Sequence, residues 1–346
     1  MERYEHGGDV YGNQGITLDF SVSLNPLGLP DAVRDALVSR VDEFMRYPDP
    51  QCRELRSAIA AHENVPEEWI LCGNGAADLI YRLCQAIKPR KAIVCAPTFS
   101  DYERALEQAC CQVAHHILKV ENGFAHTDAL VECISPDVDM LFLCSPNNPT
   151  GRLISSEIME RILAKAQQTG TRLIVDECFL DFTDGKSVKH YLAEMPGVCI
   201  LRAFTKMYAM AGLRLGYLLS SDNSLHKKMS AIAQCWSVSG PAQIAGVAAL
   251  SCEGWQAKTR NLVAQERHFL LESLKTLGIT VFPSDCNFIL LRSERPLYGP
   301  LLKEGILIRR CGNFIGLDDS YYRIGIRQHS DNVSFVHAVG AAIGRP

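Results

Sequence analysis

Apolar positions at helical spacing come first. Val33, Leu37, Val41 and Phe44 predict a helix from Asp31 to Phe44, with Pro30 where a helix starts. Arg46-Tyr47-Pro48-Asp49-Pro50 breaks it, and a second helix is expected from about Arg53 to His62. From residue 70 short apolar runs alternate with amphipathic stretches. Strands are expected at Ile70 to Cys72, Ala92 to Ala96, Met140 to Cys144, Arg172 to Asp176, Val198 to Leu201 and Leu215 to Leu219. Leu79, Ile80, Leu83, Cys84 and Ile87 form a helical stripe, and Ser155 to Gln168 reads as a helix capped by Ser155 and stopped at Gly170. This alternation predicts an α/β fold with a large, mostly parallel sheet covered by helices. After Ser237 to Pro241 the pattern changes. A long helical region runs to about Leu277, then come short strands at 280–282, 287–291, 305–309 and 321–327 and a final helix, a small α+β lobe. The expected organisation is an N-terminal arm over 1–30 belonging to the small, substrate lobe, a large domain over 31–240 and a small domain over 241–346.

Composition narrows the class. A chain of 346 residues, 47% hydrophobic and 21% charged, is long enough for two lobes and ordinary for a globular enzyme. Net charge is −4, so no basic field points to nucleic acid. No apolar run reaches the roughly 18–20 residues of a membrane span. The stretch from Met1 to His6 lacks the apolar core of a signal peptide, so a cytoplasmic protein is expected. The fourteen cysteines are scattered with no C-x-x-C pair, which reads as reduced, mostly buried thiols and no metal site.

In parallel sheets, ligands sit at the carboxyl ends of the strands. The polar signals fall there: Gly73-Asn74-Gly75, Pro97-Thr98-Phe99, Ser145 to Gly151, Asp176-Glu177 and Thr205-Lys206. Gly73-Asn74-Gly75 between strand and helix suits a phosphate, while a missing third glycine disfavours NAD. Lys206 has Phe204, Met207 and Tyr208 as neighbours and no nearby acid in sequence; a desolvated lysine loses its proton readily and attacks carbonyls. A loop lysine beside a core arginine is the alternative. Asp176 ends the buried run Leu173-Ile174-Val175, so it needs either a function or a structural ion pair. Arg309 and Arg323 are candidate anion clamps, with surface arginine as the alternative. An activatable amine, a buried carboxylate, Asn148 and a phosphate cradle of Gly75 to Ala77, Thr205 and Arg214 are together what pyridoxal phosphate requires.

Ser145 to Gly151, Asp176-Glu177 and Thr205-Lys206…Gly212-Leu213-Arg214-Leu215-Gly216 resemble the signature of fold-type I pyridoxal-phosphate enzymes of the class I/II aminotransferase family, in order and over nearly the whole chain. The resemblance implies an aspartate aminotransferase-like fold and pyridoxal 5′-phosphate as cofactor. Within the family, histidinol-phosphate aminotransferases and threonine-phosphate decarboxylases of cobalamin synthesis are the nearest groups. His6-Gly7-Gly8, the run at 19–28, Arg46-Tyr47-Pro48-Asp49 and residues 308–323 resemble the decarboxylases. That implies a lyase acting on O-phospho-L-threonine or O-phospho-L-serine and yielding the amino-alcohol phosphate of the cobamide nucleotide loop. A transferase acting on histidinol phosphate with glutamate or 2-oxoglutarate, and a non-catalytic binding protein of the same fold, are the alternatives. The resemblance implies Lys206, Asp176 and Tyr102 as catalytic, Tyr102 stacking on the cofactor ring. Gly75, Ala76, Ala77, Asn148, Thr205 and Arg214 would hold the cofactor, with Tyr47 reaching its phosphate in the neighbouring subunit of a homodimer. Arg323 would take the α-carboxylate with Asn148 nearby, Arg309 and His6 the substrate phosphate, and Asn25 would join the substrate site. Phe179 stands where many aminotransferases carry Tyr, though the decarboxylase group resembles Phe there, and Ala203 and Ala76-Ala77 stand where many relatives carry polar side chains.

Overall fold

A computed structural model describes residues 6–344; the first five residues, part of the stretch read above for a signal segment, lie outside the described residues. Seven strands form one sheet in the order Ile70–Gly73, Gly216–Leu219, Val198–Ala203, Arg172–Asp176, Met140–Cys144, Lys91–Ala96, Gln112–Ile117. Its strands run parallel except Gly216–Leu219, which is antiparallel to both neighbours. The link over 204–215 holds only one helical turn and a 3-10 turn, too little for a crossover helix, so the chain folds straight back.

Apolar residues on both faces of the central strands give the sheet two cores. Met140, Phe142, Ile174 and Leu201 meet Leu79 and Leu83 of the helix Gly75–Ile87 on one side. Leu141, Leu143, Leu173, Val175 and Ile200 face the other core. Each fully buried Leu or Phe contributes about 1.5–3 kcal/mol, so the sheet is a rigid platform for whatever its strand ends carry.

A second, antiparallel sheet is ordered Arg309–Arg310, Tyr321–Gly325, Phe288–Arg292, Thr280–Val281. The N-terminal strand Leu18–Asp19 pairs in parallel with Ile306–Leu307, which ties the start of the chain to this C-terminal region. Ser155 caps the helix Ser156–Thr169 by accepting from the Ile158 amide, and Gly170 ends it in the left-handed region, as the sequence predicts.

Three elements differ from expectation. The first helix stops at Ser39 and continues as a 3-10 turn, Val41–Met45. Val41 and Phe44 are exposed, so no packing holds the later turns in α geometry. The long helix after 240 is two, Gly240–Leu250 and Trp255–Thr276, separated where Gly254 adopts φ +71°. The edge strand Gln112–Ile117 has no apolar run to announce it. No helix among the described residues is long and apolar enough to cross a membrane.

Candidate functional site

A cavity of about 200 Å³ opens at the carboxyl ends of the parallel strands, between the large sheet and the C-terminal sheet. Asp176 is the last residue of its strand, and Lys206 sits in the one-turn helix Phe204–Met207 directly after the next strand. Both line the cavity, so the sheet brings together the two groups on which the sequence reading turned.

Lys206 is half-buried, and its Nζ has no hydrogen-bond or ion-pair partner among the described residues. Nζ lies 5.6 Å from the centre of the Phe179 ring, an apolar neighbour. Burial lowers the amine from 10.5 to about 8, and the nearby Arg323 charge lowers it further than Asp176 raises it.

The Asp176 carboxylate accepts a hydrogen bond from the Tyr102 hydroxyl at 2.6 Å and from the Cys178 amide at 2.9 Å. It has no ion pair among the described residues. The structural ion pair belongs instead to the next residue. Glu177 faces Arg202 at 3.9 Å, and Arg202 also meets Glu63 at 3.3 Å and Asp181 at 3.2 Å. Burial pushes the Glu63 carboxyl up, but Arg202, the Tyr217 hydroxyl and Lys189 outweigh it and bring it down to about 2. This buried cluster neutralises the charges behind the lysine strand and leaves Asp176 to face the cavity.

Tyr102 corrects an expectation. It borders the cavity but is fully buried, with its ring stacked on Phe142 at 5.0 Å and 13° and its hydroxyl bound to Asp176. Burial and Asp176 raise its hydroxyl well above the usual tyrosine range, which keeps the proton on the donor. Its place is behind Asp176. The half-buried aromatic in the cavity wall is Phe99, edge-on to Tyr102 at 5.6 Å and 81°. Its signal was the Pro97-Thr98-Phe99 turn at a strand end.

Opposite lies an anion cradle. The helix Gly75–Ile87 begins at the cavity, and Ala76, Ala77, Thr205 and Arg214 line it. Gly75 has φ +80°, and a Cβ there would come 2.7 Å from Arg214 Nη2; a Cβ on Gly216 would come 2.6 Å from the Ala76 nitrogen. At Gly216 only glycine lets the two backbones approach so closely, and at Gly75 the left-handed φ favours glycine. Asn147 and Asn148 divide their work. Asn147 is fully buried and ties its turn to the Pro97 carbonyl, the Thr98 hydroxyl and Thr150, whereas Asn148 lines the cavity.

The C-terminal sheet supplies the remaining wall. Arg309 and Arg323 are direct cross-strand partners, both buried and both lining the cavity. Like charges set opposite each other repel, so an anion bound between them would relieve the pairing. Arg323 donates to Asn148 Oδ1 and, at 2.8 Å, to the Ser21 carbonyl. Burial and Arg309 bring it down to about 10, still protonated at neutral pH. Arg309 donates to Asn313 Oδ1 at 2.7 Å and lies over the Phe314 ring. His6 joins them, its Nε2 3.6 Å from Asp101.

Two expected residues lie elsewhere. Asn25 is buried outside the cavity wall, its amide donating to the Met207 carbonyl at 2.7 Å and to Thr259 at 2.8 Å. Those bonds commit it to supporting the lysine turn, which removes it from the substrate site. Tyr47 is 79% exposed and stacks on Trp236 at 4.3 Å, away from this chain's cavity. No group of His, Cys, Asp and Glu that could hold a metal ion occurs among the described residues.

The pattern "Aminotransferase class I and II" matches residues 16–339. A threonine-phosphate decarboxylase of Salmonella typhimurium is 40% identical over 327 residues, 93% of this chain and 90% of that protein. The crystal structure of the histidinol-phosphate aminotransferase from Clostridium acetobutylicum superposes with TM-score 0.88 at 30% identity, covering 94% of this chain and 99% of that one. The L-threonine-O-3-phosphate decarboxylase structure from Porphyromonas gingivalis gives TM-score 0.84 at 25% identity, over 95% and 100%. The fold is therefore the aspartate aminotransferase-like α/β fold expected from the sequence.

Proposed function

The chain belongs to the aminotransferase class I and II family, whose enzymes work with pyridoxal 5′-phosphate, and from that premise we propose that it decarboxylates O-phospho-L-threonine. The product is the amino-alcohol phosphate for the cobamide nucleotide loop, made in the cytoplasm. The observation that carries this reading is the pair Arg309 and Arg323, set opposite each other over one cavity that also holds Lys206. A short substrate with a carboxylate at one end and a phosphate at the other matches that spacing of positive charge.

The residues fit the cofactor. The start of the helix Gly75–Ile87, with Ala76, Ala77, Thr205 and Arg214 lining the cavity, suits its phosphate. The Asp176 carboxylate, held by two donors, suits a protonated ring nitrogen, and the unpaired amine of Lys206 suits its carbonyl carbon. Bound there, pyridoxal phosphate supplies an electron sink for the pair left when a bond to the substrate Cα breaks.

The rest is positioning by this chain. Arg323, braced by Asn148, grips the carboxylate, while Arg309 and His6 take the phosphate. Holding both ends selects which Cα bond breaks, an orientation effect. When carbon dioxide leaves, Cα must gain one proton, and Lys206, once it has taken up the proton released by the substrate ammonium group, would be placed to deliver it there.

Incubation with O-phospho-L-threonine is expected to release carbon dioxide. Glutamate formed from histidinol phosphate and 2-oxoglutarate, with no carbon dioxide from phosphothreonine, overturns this in favour of the transferase. That second reading is favoured by the TM-score of 0.88 to a histidinol-phosphate aminotransferase. O-phosphoserine lacks one methyl, worth about 1–3 kcal/mol, and is expected as a poorer substrate.

Arg309→Ala is expected to raise KM for the phosphorylated substrate about a hundredfold, because a buried charged contact is lost, with cofactor affinity unchanged. Unaltered KM removes Arg309 from the site. The exposed Met45, Tyr47 and Trp236 support a homodimer in which Tyr47 reaches the neighbouring cofactor phosphate. A monomeric mass by light scattering at assay concentration rules that out.

A further inference from the structure

A second cavity, of about 140 Å³, lies beside the first. Phe99, Ser100 and Phe314 line both, so the two spaces share one wall built largely of phenyl rings. Beyond that wall the second cavity runs to the outer end of the large sheet, where Cys95 and Ala96 of one strand and His115 of the edge strand line it. His115 Nε2 lies 3.3 Å from Glu103 there. Close packing leaves few voids larger than a water molecule, so a space of this size against a ligand site bears on what that site admits.

The shared wall stands at the Arg309 end of the first cavity. Phe314 belongs to the turn that joins Arg309–Arg310 to Tyr321–Gly325. Its amide donates to the Cys311 carbonyl at 3.0 Å, and its carbonyl accepts from the Leu317 amide at 3.0 Å. The Cys311 amide donates to the Tyr321 carbonyl at 2.9 Å, which anchors the turn to the strand that carries Arg323. The Phe314 ring is 9% exposed, and the Arg309 guanidinium lies 5.2 Å from its centre. Asn313, the residue before, accepts from Arg309 Nη2 at 2.7 Å and lines the second cavity. One short turn thus braces the arginine, closes the space next to it and borders the space beyond.

We infer that Phe314 is a specificity residue: its ring is the end wall of the phosphate site and confines that site to phosphate monoesters. This deepens the proposed function and rests on it for placing the substrate phosphate at Arg309. A monoester ends in bare oxygens and needs no room past the arginine. A diester carries one further group on phosphorus, and the room for that group is the second cavity, on the far side of the ring. The ring cannot swing away at little cost, because its backbone is bonded on both sides and the ring is buried. The second cavity is therefore a latent subsite, shut off by one side chain.

Phe314→Ala and Phe314→Leu test this in the cofactor-loaded protein. Dissociation constants are read from ligand-dependent absorbance for O-phospho-L-threonine and for the same compound carrying an ethyl ester on its phosphate. The wild type is expected to prefer the monoester by about a hundredfold or more. Part of that preference comes from the charge the ester removes, and that part is common to all three proteins. The ratio of the two constants is expected to fall about tenfold in Phe314→Ala, the discrimination that a methylene-sized group gives, and by less in Phe314→Leu. Weaker support of Arg309 lowers both affinities together and leaves the ratio alone. A ratio unchanged in both variants, or a wild type that binds ester and monoester alike, overturns the assignment. Phe314→Leu decides the matter should the alanine variant fail to fold. Carbon dioxide release is measured separately. A wild type that binds phosphothreonine without releasing carbon dioxide sinks the substrate reading, while the ratio, read also on histidinol phosphate and its ethyl ester, still decides the role of Phe314.

Discussion

Lys206→Ala is expected to reduce turnover by about ten-thousandfold or more, and borohydride treatment should no longer fix cofactor mass to the chain. The size follows from two roles lost together: covalent capture of a carbonyl and proton transfer at Cα. Lys206 is the one lysine among the residues lining the cavity, so no neighbour can take its place. Its environment also sets a pH dependence. The amine lies at about 8, against 10.5 for an ordinary lysine, chiefly through burial. At pH 7 about a tenth of the chains then carry the neutral, nucleophilic amine, several-hundredfold more than for an unperturbed lysine. Protonated below about 8 and neutral above it, the amine should make cofactor capture by the stripped protein accelerate as pH rises through that value. A capture rate that is flat across that range, or cofactor still fixed to the Lys206→Ala chain, removes the lysine from this role.

The sequence showed the platform and the chemical groups because both depend on local patterns. Leu173-Ile174-Val175 is apolar on both faces and ends in Asp176, which is how a central parallel strand delivers a polar residue to its carboxyl end. Gly73-Asn74-Gly75 and Thr205-Lys206 announce turns by composition alone. What stayed hidden was which neighbour each group faces. Asp176 and Glu177 are adjacent acids, yet one faces the cavity and the other Arg202, a choice made by strand pleat and by Glu63 more than a hundred positions away. Tyr102 and Phe99 lie one helical turn apart. Both border the cavity, and only the packing of Phe142 against Tyr102 and the bond to Asp176 show the tyrosine as a support for the carboxylate. Asn25, the asparagine anticipated in the site, is spent on Met207 and Thr259, a choice made by packing that the run at 19–28 does not show. The edge strand Gln112–Ile117 escaped notice for the complementary reason: half-exposed, it needs no apolar run.

Asp176→Asn is expected to lower kcat/KM about a thousandfold and to weaken cofactor binding, while the fold survives. The substitution keeps the volume and removes the charge. It also breaks the local hydrogen bonding. Both groups that reach Asp176 are donors, the Tyr102 hydroxyl and the Cys178 amide, and an asparagine offers a single acceptor oxygen. Its NH2 must therefore confront one of those donors or turn into the cavity, where a donor would meet a protonated ring nitrogen. Either way the group that keeps that nitrogen charged is lost, and with it the electrostatic stabilisation of the carbanion, a class of effect worth about 10²–10³ per contact. Tyr102→Phe separates support from contact. It removes one donor and leaves the carboxylate charged, so a loss of only about tenfold is expected. The pair of variants is decisive through its ratio. If Asp176→Asn costs no more than Tyr102→Phe, the carboxylate is a structural acceptor and the ring nitrogen is served by another group.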